Sequence, residues 1–83
     1  MKISPHARLR LRQRFNLHEH VDQTIVYRVA HSHLLKAKDL YEIGSQYRMG
    51  YTYLAYEDMI LICKNDTLTS VLYNKRMPYG SKD

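Results

Sequence analysis

Apolar residues return at every fourth position early in the chain, at Ala7, Leu11 and Phe15 and again at Val21, Ile25 and Val29. At about 100° per residue, each set lines one face of a helix. Ser4-Pro5 supplies the start of the first helix, with serine as N-cap and proline at the first helical position, where its missing N–H costs nothing. Asn16 and Glu19 read as a capping box for a second helix over residues 17–31, and His31-Ser32-His33 as its exit. Val21, Thr24, Ile25, Val26 and Val29 are β-branched, so this helix is expected to draw its stability from packing.

From Leu34 the period changes. Leu35, Ala37, Tyr41 and Ile43 recur at even spacing and predict a first strand, with Asp39 out of pattern and Gly44-Ser45-Gln46 as the following turn. Tyr47, Met49, Tyr51, Tyr53 and Ala55 alternate with Arg48, Gly50, Thr52, Leu54 and Tyr56 in a second strand. Met59 to Cys63 is continuously apolar, as suits a central strand covered on both faces. Asn65-Asp66 suits a two-residue hairpin turn into a fourth strand, Thr67 to Tyr73. The chain from Asn74 on, with Pro78 and Gly80, reads as a fraying end. The predicted fold is α+β, with two N-terminal helices packed on a four-stranded antiparallel β-meander. It forms one domain over residues 1–76 with a flexible tail at 77–83.

Charge sharpens this picture. The chain has 83 residues, 13 Lys and Arg against 8 Asp and Glu, and a net charge of +5. Residues 1–14 hold five of the cations and no acid, a distribution that favours an anionic partner, nucleic acid first. Cys63, the single cysteine, cannot form an internal disulfide, and no run approaches the roughly 18 apolar residues of a membrane span. The expectation is a cytoplasmic protein that engages no membrane.

On the first helix His6, Arg10 and Arg14 form a row beside the apolar stripe, with Arg8 and Arg12 on its other side. Histidine titrates near neutral pH and arginine forks onto phosphate oxygens, so the row fits both a solvated basic face and metal-free RNA cleavage. Tyr47, Tyr51 and Tyr53, near Lys36, Lys38 and Arg48, fit either a base-stacking platform or a core face under a helix. His18/His20 and His31/His33 lack the accompanying Cys-x-x-Cys of a zinc site and read as exposed polar residues. Cys63 reads as a core residue. No metal or cofactor is expected.

His6-Ala7-Arg8-Leu9-Arg10-Leu11-Arg12-Gln13-Arg14, together with Leu68-Thr69-Ser70-Val71-Leu72-Tyr73, resembles two short motifs of RelE/ParE-like toxin domains in the barnase–EndoU–colicin–RelE superfamily. The resemblance implies a metal-independent endoribonuclease in which the ribose 2′-OH attacks its own phosphate. His6 would be general base or acid, Arg10 and Arg14 would clamp phosphate, and Thr69 (or Ser70) and Tyr73 would hold the scissile group. Strand alternation puts Thr69, Val71 and Tyr73 on one face and favours Thr69 over Ser70. Arg8, Arg12, Lys36, Arg48, Lys75 and Arg76 are the expected nucleic-acid contacts. Glu57 and Asp58 fall in a turn and offer no well-placed carboxylate base. ParE-like members bind a topoisomerase and cut no RNA, so a non-catalytic nucleic-acid-binding module stays open. So does a phage- or plasmid-borne protein that inhibits a host protein. The expected partners are therefore RNA, an antitoxin or a host protein.

Overall fold

The computed structural model describes residues 1–74, so Lys75, Arg76 and the expected tail at 77–83 lie outside it. The first helix, α1 (Pro5–Phe15), forms as its spacing predicts. The Ser4 hydroxyl accepts the Ala7 N–H at 3.0 Å, which satisfies one of the donors a helix start leaves open. Asn16 closes α1 in the left-handed conformation, φ 54°, and its N–H donates to the Arg12 carbonyl. Asn16 is therefore the end of one helix and not, as expected, the cap of the next. The second helix, α2 (Val21–Ala30), starts later than residue 17, and its flanking His20 provides no side-chain cap. Ile25 is fully buried, with Val21 and Val29 packed beside it, so the predicted stripe is the one that docks.

The strands are β1 (Lys2–Ile3), β2 (His33–Leu35), β3 (Thr52–Tyr56), β4 (Met59–Lys64) and β5 (Thr67–Tyr73), with a third helix, α3 (Ala37–Glu42), between β2 and β3. They form one sheet in the order β1-β5-β4-β3-β2. Among the described residues the fold is α+β, with three helices and a five-stranded mixed sheet. Four strands run as an antiparallel meander, and β1 adds a parallel edge against β5.

Two of the expected strands are shorter than the alternation suggested. The segment 34–43 holds only the three residues of β2 before it turns into α3, whose start is fixed when the Lys36 N–H donates to the Asp39 carboxylate at 2.9 Å. Leu40 and Ile43, three apart, bury the helical face, and Gly44 at φ 79° closes the helix where a strand-to-strand turn was expected. Residues 47–51 form loop, so β3 begins only at Thr52. Asn74 does not fray: it is buried, its N–H donates to the Asp58 carbonyl at 2.8 Å and its side-chain amide to the Glu57 carbonyl at 3.2 Å.

The sheet is covered on both faces. Met59, Leu61 and Cys63 of β4 join Leu68 and Val71 under α1 and α2. Ile60 and Ile62 join Leu35, Leu40, Tyr53 and Ala55 on the α3 side. Between them the β4–β5 register slips: Cys63 pairs with Leu68, but Ile62 pairs with Ser70, leaving Thr69 as an extra residue. The bulge is why Leu68 and Val71, three apart, both face the helices. No helix among the described residues is long and apolar enough to cross a membrane.

Leu11→Ala, at a fully buried position, is expected to cost about 2–5 kcal/mol in urea unfolding. Leu9→Ala, on the exposed side of the same helix, is expected to stay within about 0.5 kcal/mol.

Candidate nucleic-acid interface

Helix α1 lies along β5 and is fastened to it at both ends. At the start, the Ser4 N–H donates to the Leu68 carbonyl at 3.0 Å and the Ser4 hydroxyl to the Thr69 carbonyl at 3.3 Å. At the far end, Arg14 Nη1 donates to the Val71 carbonyl at 2.8 Å, and the Tyr73 hydroxyl donates to the Arg14 carbonyl at 2.5 Å. The Phe15 and Tyr73 rings pack with centroids 4.9 Å apart. Tyr73 therefore meets the Arg14 backbone while the Arg14 guanidinium goes to Val71, and both side chains anchor the helix.

His6 and Arg10 form a separate pair one turn apart. Arg10 Nε donates to His6 Nε2 at 3.4 Å, and Arg10 Nη1 to Gln13 Oε1 at 3.2 Å. Eight residues separate His6 from Arg14, about 12 Å along a helix axis. Thr69 does not join them. The bulge turns its side chain to the opposite side of the sheet, where its hydroxyl donates to the Ile62 carbonyl at 3.0 Å and it lines a cavity with Ser70 and Leu72. Strict alternation assigned Thr69 to the Val71 face, and one inserted residue reversed that assignment. The spacing of Leu68 and Val71, three apart in a strand with both apolar, is the signal that could have revealed it.

The arginines differ in their freedom. Arg8 Nη2 pairs with the Asp22 carboxylate at 2.7 Å, a bridge between two exposed side chains that partly offsets its charge. Arg10, Arg12 and Arg14 have no carboxylate partner among the described residues. Arg8 and Arg12 border a shallow cleft of about 220 Å³ with Leu17, His18 and Val21. The exposed side of α1 thus presents cations along its whole length, and α1 itself contains no acid.

Lys36 and Arg48 lie away from α1, on the α3 side. Arg48 lines a cavity of about 400 Å³ with Ser45, Tyr51 and Ser70, and Lys36 lines a neighbouring one of about 410 Å³. Tyr51 and Tyr53 border both. Only part of the expected tyrosine platform is a core face: Tyr53 is buried, and its hydroxyl accepts the Arg48 backbone N–H at 3.1 Å. Tyr51 is half-buried with Lys64 Nζ 5.0 Å from its ring centroid, and Tyr47 is exposed, 5.6 Å from the Tyr53 ring. Lys64 and Ser45 were not among the expected contacts, because loop 44–51 brings Ser45 to the cavity and Tyr51 to Lys64; Ser70 was expected only as the alternative to Thr69.

Among the described residues no group of three or more His, Cys, Asp and Glu side chains could hold a metal ion. His31 instead stacks on Tyr27, with centroids 4.1 Å apart. Cys63 is buried in the core, and desolvation, followed by the nearby Asp66 carboxylate, pushes its thiol from 9.0 up to about 11. No protein-family model, curated protein or solved structure matches this chain.

Tyr73→Phe keeps the ring contact and removes the bond to Arg14, so thermal or urea unfolding is expected to register a loss of about 0.5–1.5 kcal/mol. The folded Cys63 thiol keeps its proton to about 11, whereas the unfolded one releases it near 9.0. Its contribution is therefore full below pH 9 and lost as pH rises toward 11. The stability difference between wild type and Cys63→Ala, followed by urea unfolding, is expected to shrink across that window.

Proposed function

We propose that this chain binds nucleic acid, RNA above all, by laying the phosphate backbone along the exposed edge of α1. The observation that carries the reading is the four arginines on one 11-residue helix, Arg8 and Arg12 flanking its buried stripe on one side and Arg10 and Arg14 on the other, of which only Arg8 has a carboxylate partner among the described residues. Phosphate contacts of this kind supply affinity and orientation without reading sequence. The bonds from Ser4 and Tyr73 fix the helix backbone against the sheet, so an arriving anion has to order the arginine side chains and not the helix that carries them.

A second reading, cleavage, is favoured by the Arg10–His6 contact. Arginine only donates, so a bond from Arg10 Nε to His6 Nε2 assigns the imidazole proton to Nδ1 and leaves Nε2 as an acceptor beside a guanidinium. The ring nitrogen has one lone pair, so Nε2 takes the proton of a ribose hydroxyl when Arg10 leaves it for the phosphate, which the guanidinium then faces. In this reading His6 and Arg10 are the reacting groups, Arg14 and Tyr73 support them, and Thr69 is excluded. It is the toxin-like activity that the motif resemblance implies.

Binding of a short single-stranded RNA is expected to weaken with salt, with a slope of about −0.7 per phosphate contacted. Arg12→Ala is expected to flatten that slope by about 0.7. A salt-independent affinity would remove the binding proposal. For cleavage, RNA incubated in EDTA is expected to yield 2′,3′-cyclic phosphate ends that His6→Ala abolishes with the thermal melt unchanged. Intact RNA, or cleavage that survives His6→Ala, would sink the catalytic reading alone.

A further inference from the structure

On the α3 side of the sheet, opposite α1, the bulge at Thr69 creates a second place for a ligand. Two consecutive hydroxyl side chains, Thr69 and Ser70, line one cavity instead of pointing to opposite faces. Arg48 and Tyr51 complete its wall, and the volume of about 400 Å³ falls within the range of small-ligand pockets. We infer that this groove binds a nucleotide unit, a nucleobase stacked on Tyr51 with its phosphate held by Arg48 and Ser70.

Each part of the ligand follows from a specific side chain. Among the described residues no carboxylate lines this cavity or its neighbour, whereas Arg48 and Lys36 do, so the groove selects an anion. Inorganic anions gain nothing from aromatic walls, yet Tyr51 borders both cavities and Tyr47 and Tyr53 continue the surface. The two hydroxyls are not equivalent. Thr69 has committed its proton to the Ile62 carbonyl, so it can only accept, as from a base N–H or a ribose hydroxyl. Ser70 has no partner among the described residues and is free to donate to a phosphate oxygen. The Arg48 guanidinium likewise has no partner among those residues. Lys64, placed over Tyr51, adds positive charge beside the ring.

The unit can be a free nucleotide or one unpaired residue of a strand, and the proposal does not depend on α1. Chemical shifts of the full chain are followed during separate titrations with uridine 5′-monophosphate, uridine, inorganic phosphate and a single-stranded RNA hexamer. Shifts at Arg48, Tyr51 and Ser70 are expected, with the monophosphate about tenfold tighter than uridine or phosphate. Arg48→Ala is expected to erase the preference for the monophosphate over uridine. Tyr51→Ala is expected to weaken it about tenfold, while Tyr51→Phe, which keeps the stacking face and controls for folding, retains it. Shifts at these residues with the hexamer alone assign the unit to a strand. No shift at these residues with any of the four probes, or shifts confined to α1, overturns the groove proposal. The second outcome leaves the α1 reading standing.

Discussion

The contact between α1 and β5 decides where the four arginines of α1 can go. Ala7 and Leu11 are fully buried against Leu68 and Val71, and a buried leucine contributes on the order of 2 kcal/mol relative to leaving it in water. The hydrogen bonds at the two ends are worth about 1 kcal/mol each. The apolar seam therefore holds the helix down, and the Ser4, Arg14 and Tyr73 bonds fix its direction along the strand. With the stripe committed to the sheet, residues between its members are forced outward. In this helix four of those six residues are arginines.

One inserted residue in β5 divides the chemistry between two faces. Without the bulge, Thr69 would lie on the helix side with Val71, and its hydroxyl would be in the layer of Arg14 and Tyr73. With it, Leu68 and Val71 close the core beneath α1, and Thr69 and Ser70 open onto the groove with Arg48 and Tyr51. The nuclease-like constellation expected from the motif is split by this slip: a histidine–arginine pair stays on one side and the Thr69 hydroxyl moves to the other, beside Ser70. The bulge also keeps polar atoms out of the apolar layer under the helices, where an unpaired hydroxyl would cost free energy.

The elements that were legible in the sequence are those where one local signal acts alone. Ser4-Pro5 and the four-residue spacing define α1, the unbroken run Met59–Cys63 marks the central strand, and Asn65-Asp66 sets the hairpin into β5. The misread elements carried two signals at once. In 35–43, even spacing coincides with the three-residue spacing of Leu40 and Ile43, and Asp39, out of place in a strand, belongs to the helix start it caps. The aromatic alternation of 47–55 predicted a long strand, but its first half is loop that brings Arg48 and Tyr51 to the groove. Two residues, Lys2 and Ile3, carry too short a pattern to predict an edge strand, and β1 exists because β5 offers them a parallel partner.

The seating of α1 on β5 can be observed directly in a nuclear Overhauser spectrum of the full chain. Cross-peaks between the ring protons of Phe15 and Tyr73 are expected, since their centroids lie 4.9 Å apart. A Tyr73 ring with no cross-peak to any α1 residue would contradict the seating, and with it the fixed basic edge proposed to meet a phosphate backbone.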